Sequence, residues 1–269
     1  MTTIVAQTQK GAASPRPPVD ENSVAASTLP PHYRGEQVLS FKNSNRISDA
    51  LVSLRKRDSI DAERYRRLRH SVEKMKQDAR GLLVGITSPL SGDGKTFTSI
   101  NLAGSLAQNP DARVLLIELD LRQVKNNVKH QLGKGKLAGA GVVDLVLDPE
   151  LPWEKASYYL SDFNLYVLPS GSETRSPYEI LTSKRMARLL EEARARFDYV
   201  IIDTAPVVLL SDSQLIAESV DGFMVVVSAD ITSRKMLEEA LTLMDQSKVL
   251  GLVFNGHSPI SDSYYGGYY

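Results

Sequence analysis

The stretch "GLLVGITSPLSGDGKT" at residues 81–96 constrains the fold more than any other part of the chain. An apolar run ending in turn residues, then a loop with two glycines, then a helical segment over 96–108 make a strand–loop–helix unit. The pattern repeats. "RVLLIELD", "LYVLPSG", "YVIIDTAP", "GFMVVVSAD" and "VLGLVFNG" carry further short apolar runs. Helical segments fall between them: "GVVDLVLD", an amphipathic helix over 183–197, one near 214–219 and one over 234–246. Apolar runs of this length, alternating with helices, predict parallel strands buried on both faces. The expected fold class is therefore α/β, a doubly wound, mostly parallel sheet. Ligands of such sheets bind outside the carboxyl ends of the strands, which is where the chemistry-bearing residues fall.

Within the first loop, Gly92-Asp93-Gly94-Lys95-Thr96 resembles the Walker A phosphate loop. Glycines let backbone N–H groups approach phosphate oxygens with no Cβ in the way, and the following helix adds its positive N-terminal end. The nucleotide-binding stretch expected is Gly92 through Phe97. Lys95 would reach the β- and γ-phosphates of such a ligand and the Thr96 hydroxyl would ligate Mg²⁺. Pro89 stands where the general pattern has its first glycine, and Phe97 stands where a dinucleotide loop needs its third. A nucleoside triphosphate fits better than a dinucleotide. Glu118 and Asp120 lie two residues apart at the end of "LLIELDLR", so strand alternation puts both on one side. Asp203 closes "YVIID", with Pro206 ending the strand. Acids at these strand ends are expected to hold Mg²⁺, directly or through water, as a Walker B carboxylate does.

Other parts of the chain bound the function. Residues 1–45 are rich in Pro, Ser, Ala and Thr and read as a disordered arm. A helical signal then runs from 45 to 77, with Ile60, Tyr65, Leu68 and Val72 on its apolar side. The 32 Lys and Arg balance 32 Asp and Glu, which gives no global field favouring nucleic acid. The absence of cysteine excludes disulfides, thiol catalysis and iron–sulfur clusters, and the four histidines show no metal-ligand spacing. No apolar run approaches the ~20 residues of a membrane span, so the expected location is cytoplasmic. Four of the eleven tyrosines fall in the last six residues. A terminal segment flanked by Ser, Asp and Gly cannot build a core. It serves as a sticky interface peptide or holds phenols out as substrates.

The set Gly-Asp-Gly-Lys-Thr, "LLIELDLR" and "VIIDTAP", with the terminal tyrosines, resembles the bacterial tyrosine kinases of exopolysaccharide systems. Within that family it resembles the stand-alone kinases beside exosortase-type clusters. That family carries a Walker A loop, a second motif D-x-D-x-R, here Glu118 to Arg122, and a Walker B motif D-x-x-P, here Asp203 to Pro206. It also carries E-x-x-R-x-x-R on a preceding helix, matched by Glu63, Arg66 and Arg69. The resemblance spans about residues 46–269. It implies a phosphate-loop NTPase fold of the deviant-Walker (MinD/ParA-like) type, with a kinase domain over 46–260 and a tyrosine-rich tail over 261–269. It implies transfer of phosphate from ATP to Tyr264, Tyr265, Tyr268 and Tyr269 of a neighbouring copy. Lys95 would neutralise phosphate charge, Thr96, Asp203 and Glu118 would hold Mg²⁺, and Asp120 would be the base. Asn255 matches the position that reads the purine in related ATPases, and Glu63, Arg66 and Arg69 would build a homo-oligomeric ring. The implied partners are a membrane polysaccharide co-polymerase, which recruits the kinase to the inner face of the membrane and activates it, and a cognate tyrosine phosphatase.

Two other readings use the same motifs. A partitioning ATPase of the deviant-Walker class needs a signature lysine where Leu90 stands. A regulatory scaffold with degenerate catalysis would be consistent with Glu118 in place of the usual aspartate.

Overall fold

The computed structural model describes residues 3–5, 37–39, 47–122, 127–133, 137–229 and 231–256. Its strands are β1 (Thr3–Val5), β2 (Val38–Leu39), β3 (Leu82–Thr87), β4 (Val114–Glu118), β5 (Tyr158–Leu160), β6 (Leu165–Leu168), β7 (Tyr199–Asp203), β8 (Gly222–Ser228) and β9 (Val249–Asn255). They form one sheet in the order β1-β9-β8-β3-β7-β4-β6-β5-β2. The six central strands from β9 to β6 run parallel. β1 and β5 are antiparallel to their inner neighbours β9 and β6, and β2 lies parallel to β5. Strands β3, β4, β6 and β8 are buried at every position, the condition that uninterrupted apolar runs predict. Period-two alternation divides them into two cores, with Val84, Ile86, Leu116 and Ile201 on one face and Leu83, Leu115, Ile117 and Ile202 on the other.

The helices are α1 (Val52–Arg55), α2 (Ile60–Met75), α3 (Lys95–Leu106), α4 (Val128–Gln131), α5 (Val142–Leu147), α6 (Trp153–Ala156), α7 (Pro177–Thr182), α8 (Lys184–Arg196), α9 (Asp212–Leu215) and α10 (Arg234–Leu243). Ser59 caps α2 by accepting from Ala62 N at 3.1 Å, and Ser183 caps α8 by accepting from Met186 N at 3.0 Å. The helix expected near 214–219 is the short α9 followed by a 3₁₀ turn at Ala217–Ser219. The apolar face expected of α2 is corrected at one position: Ile60 is exposed at the helix start, and Ala62 joins Tyr65, Leu68 and Val72 in the core. Of the arm over 1–45, Thr3–Val5 and Val38–Leu39 add to the two edges of the sheet; most of it lies outside the described residues.

α1 and α2 pack on α3, and part of that seam is polar. Asn101 on α3 accepts from Ser53 N at 2.9 Å and donates to Ala50 O at 3.1 Å. Burial pushes the Tyr65 phenol up to about 12, against the pull of hydrogen bonds with Thr98 and Asn101. At the opposite end of the sheet, buried Arg194 donates to Gly81 O at 2.9 Å, Ser219 O at 3.0 Å and Asp221 Oδ2 at 2.7 Å, tying α8 to the starts of β3 and β8.

Candidate active site

Strand order reverses around β3, so the loop following it opens into the crevice where such sheets bind ligands. Gly92 and Gly94 have φ of 95° and 93°, in the left-handed region that favours glycine. A Cβ at Gly92 would meet nothing within 4 Å, whereas one at Gly94 would run into the Asn255 amide. Asp93 between them is buried and pins the loop. Its Oδ2 accepts from Leu90 N at 2.9 Å, its Oδ1 from Thr232 Oγ1 at 2.5 Å, and its carbonyl from Asn255 Nδ2 at 3.0 Å. Loops from β8 and β9 therefore hold the phosphate loop from one side.

On the other side stand the carboxylates. Lys95 Nζ meets Asp120 Oδ2 at 2.7 Å, with both side chains almost wholly buried. Fully buried Asp203 accepts from Thr96 Oγ1 at 2.8 Å and from Ser99 Oγ at 3.0 Å. Burial pushes its carboxyl up to about 7, with Asp120 and Glu118 adding to the rise and Lys95 and Thr96 opposing it. The bare glycine loop, the buried lysine and the hydroxyl–carboxylate oxygen pair suit a triphosphate with a hard divalent cation. A family model described as an AAA domain matches residues 84–249. The tyrosine-protein kinase YwqD of Bacillus subtilis is 32% identical over 232 residues, covering 86% of this chain and 95% of that protein.

The chain belongs to the bacterial tyrosine-protein kinases.

The tyrosine-protein kinase CpsD of Streptococcus agalactiae is 34% identical over 182 residues, covering 64% of this chain and 74% of that protein. The solved kinase domain of the Escherichia coli tyrosine kinase ETK superposes with a TM-score of 0.70 at 25% identity, covering 81% and 84% of the two chains. In this tyrosine kinase, Lys95, Thr96, Asp120 and Asp203 come together as expected, and the geometry of the remaining expected residues is more mixed.

Glu118 requires a correction. Both of its oxygens accept from backbone amides: Oε1 from Val128 N at 2.8 Å and Oε2 from Ser170 N at 2.9 Å. Burial raises its carboxyl above the usual range while these amides pull it down. It ties the start of α4 and the loop beyond β6 to the end of β4, with each oxygen already accepting from a backbone amide. The Phe97 side chain packs against the α1–α3 core, leaving only its backbone to the loop. The Asn255 amide nitrogen donates to Asp93 O at 3.0 Å. Arg122 makes a two-pronged pair with buried Asp212, at 2.9 and 3.1 Å, joining the β4 loop to α9.

Glu63, Arg66 and Arg69 do lie on one face of α2. Arg66 Nε bonds Glu63 Oε2 at 2.6 Å. Arg69, however, reaches inward: its Nη1 donates to Ser105 O at 2.9 Å near the end of α3, and its Nε bonds Glu73 at 2.7 Å. Tyr264, Tyr265, Tyr268 and Tyr269 lie outside the described residues. Sequence reasoning missed Ser99 and Thr232. Ser99 had a signal, since it follows Thr96 by three on α3 and so faces the same way; Thr232 had none. No helix among the described residues is long and apolar enough to cross a membrane.

Proposed function

We propose that this chain is an ATP-dependent protein-tyrosine autokinase that phosphorylates its own C-terminal tyrosines, Tyr264, Tyr265, Tyr268 and Tyr269, between copies of a homo-oligomeric ring. The carrying observation is the Lys95–Asp120 ion pair at 2.7 Å beside the Thr96–Asp203 bond. A cation for phosphate and a carboxylate for a proton are stored against one another in a water-poor site. Mg·ATP, when bound, supplies the phosphoryl group and an electrophilic phosphorus. Thr96 and Asp203 are the residues that would hold the cation, and the backbone of Gly92–Phe97 the phosphates. Lys95 turns from Asp120 to phosphate charge, and the freed Asp120 Oδ2 takes the phenolic proton, which at a reference pKa of about 10 needs such an acceptor at neutral pH. Positioning and charge stabilisation account for most of the remaining rate. Asn255 keeps its amide oxygen to accept from an exocyclic amine of the purine.

Glu118, bonded to two backbone amides, departs from the family pattern at a position that supports loops, and the transfer assay below separates a working kinase from a degenerate scaffold. The kinase would act with a membrane polysaccharide co-polymerase that recruits it to the inner face of the membrane, in control of exopolysaccharide polymerisation and export, and with a phosphatase that resets the tail. Each phosphate adds about −1.5 to −2 charge, so a fully modified tail repels its neighbours and loosens the ring. Phosphosite mapping by mass spectrometry after incubation with Mg·ATP, with and without the cytoplasmic tail of the membrane partner, tests the assignment. Phosphate on the four tail tyrosines of the parent and none in Lys95→Met is the expected result. Bound ATP without phosphotyrosine in either condition rejects it.

A further inference from the structure

Asp203 stands between two hydroxyls of α3. Its backbone is fixed on both sides: β7 pairs with β3 at Ile86 and Asp203 and with β4 at Glu118 and Asp203, and the Asp203 carbonyl accepts from Leu119 N at 2.8 Å. Its carboxylate plane is not fixed that way. The last torsion of an aspartate is broad, so hydrogen bonds decide where the two oxygens point. One oxygen, Oδ2, accepts from Thr96 Oγ1 at 2.8 Å, and the other, Oδ1, from Ser99 Oγ at 3.0 Å. Thr96 and Ser99 lie three residues apart on α3 and so share a face. Together they hold the carboxylate by both of its oxygens. Ser99 Oγ also lies 2.9 Å from Lys95 O, but a hydroxyl has a single proton. Within α3 that carbonyl already accepts from the Ser99 backbone amide. A carboxylate oxygen, fully buried, loses more by going without a donor, so the proton is better placed on Asp203.

We propose that Ser99 is a positioning residue for the divalent cation: by holding Oδ1 it fixes the carboxylate plane of Asp203, and through the Thr96–Asp203 bond it fixes where the Thr96 hydroxyl offers its lone pairs. Thr96 has one proton, which goes to Asp203 Oδ2, and two lone pairs, which remain for a cation. Were the carboxylate to swing about its last torsion, the proton would follow Oδ2 and the lone pairs would turn with it. Ser99 opposes that swing, acting through Asp203 rather than on the cation. Residues behind metal ligands work in this way, and losing one typically costs about 10–100-fold in metal affinity. The inference rests on the reading that Thr96 and Asp203 hold Mg²⁺ beside ATP, and deepens it by naming a residue on which that pair depends. The competing explanation is a purely structural role, since Ser99 is fully buried.

The test is the binding of ATP to the full chain by isothermal titration calorimetry, once with excess Mg²⁺ and once with EDTA. The ratio of the dissociation constant in EDTA to that in Mg²⁺ isolates the contribution of the cation. Ser99→Ala removes the donor and puts the best helix former in its place, so folding is retained. The expected result is a ratio smaller than the parent's by about tenfold or more, with affinity in EDTA within about twofold of the parent's. Ser99→Thr keeps a hydroxyl donor and should return the ratio to within about threefold of the parent's. Ser105→Ala is the control. Ser105 is also buried on α3, and its Oγ has no hydrogen-bond partner among the described residues, so its loss should leave the ratio unchanged. Affinities that fall equally with and without Mg²⁺ in Ser99→Ala, or a ratio that narrows as much in Ser105→Ala, make the role structural and overturn the proposal. An unchanged ratio in Ser99→Ala beside a Mg²⁺-dependent parent overturns this inference alone. A parent whose affinity ignores Mg²⁺ overturns the cation reading, and this inference with it.

Discussion

Replacing Glu118 separates a clamp from a metal ligand. Its two oxygens accept from Val128 N at 2.8 Å and Ser170 N at 2.9 Å, amides that are buried and part-buried. Each buried donor left without a partner costs about 1–3 kcal/mol. Glu118→Ala strands both amides, for a loss of about 2–6 kcal/mol. Removing a carboxylate that was itself costly to bury returns part of this, leaving a net loss of about 2–4 kcal/mol. With a urea slope of about 2 kcal/mol/M, the unfolding midpoint falls by about 1–2 M. Glu118→Gln keeps one acceptor and turns a donor toward the other amide, so its loss is about 1–3 kcal/mol. Hydrogen exchange at Val128 and Ser170 should accelerate in both variants. Measured where the protein is fully folded, Mg²⁺-dependent ATP affinity should stay within about threefold of the parent for Glu118→Gln. The reverse pattern, unchanged unfolding midpoints with a tenfold or greater loss of Mg²⁺-dependent affinity, would falsify the clamp.

Four further outcomes are expected. Arg194→Ala breaks a buried pair with Asp221 and two carbonyl contacts, so urea unfolding should register a loss of about 3–5 kcal/mol with nucleotide affinity of the folded protein intact. The Tyr65 phenol is pushed up to about 12. The stability this contributes is fully present below pH 10 and is lost as pH climbs through the folded value; Tyr65→Phe should flatten the fall of the unfolding midpoint between pH 10 and 12, and parallel curves would refute the assignment. Arg66→Ala should lower oligomer mass in light scattering with little effect on monomer stability, whereas Arg69→Ala should also lower the melting temperature because it loses Ser105 O. Gly94→Ala should abolish ATP binding, and adding Asn255→Ala should relieve the collision but not the cost of φ at 93°, about 1–2 kcal/mol; full rescue by the double variant would show that contact alone matters.

The parts of this molecule legible in its sequence are those set by local periodicity. Uninterrupted apolar runs imply strands covered on both faces, and β3, β4, β6 and β8 are buried throughout. The glycines, Lys95 and Thr96 are a contiguous motif, and alternation predicts one face for Glu118 and Asp120. Alternation sets a side chain's face but not what occupies its oxygens. Those of Glu118 go to amides 10 and 52 residues away, and the amide of Asn255 goes to a carbonyl 162 residues away. Such captures depend on how loops return to the sheet, which no window of sequence encodes. Arg69 is similar. Its spacing from Glu63 and Arg66 marks a shared face of α2, yet only the packing of α2 on α3 reveals that its guanidinium is drawn inward. Ile60 fits the helical period but stands at the first turn, where the helix has not yet met the core.

The charges of the site argue for what enters it. One buried cation, Lys95, pairs with Asp120 in a site that also buries Asp203 and Glu118, the three acids all at 4% exposure or less. If every group were ionised, the formal sum would be +1 − 3 = −2, in a region where burial weakens solvent screening. The protein relieves this in two ways: burial holds the Asp203 carboxyl up to about 7, and backbone amides neutralise part of the Glu118 charge. Replacing buried ion pairs by apolar residues is often neutral or stabilising, so stability does not account for this arrangement and binding does. A bare phosphate would meet net negative charge, while a divalent cation alone would lack the phosphate oxygens that complete its shell. A cation and a polyphosphate together would satisfy both. On the autokinase reading proposed above, Lys95 would leave Asp120 only with phosphate in place, so the proton acceptor would be withheld until the phosphoryl donor is present.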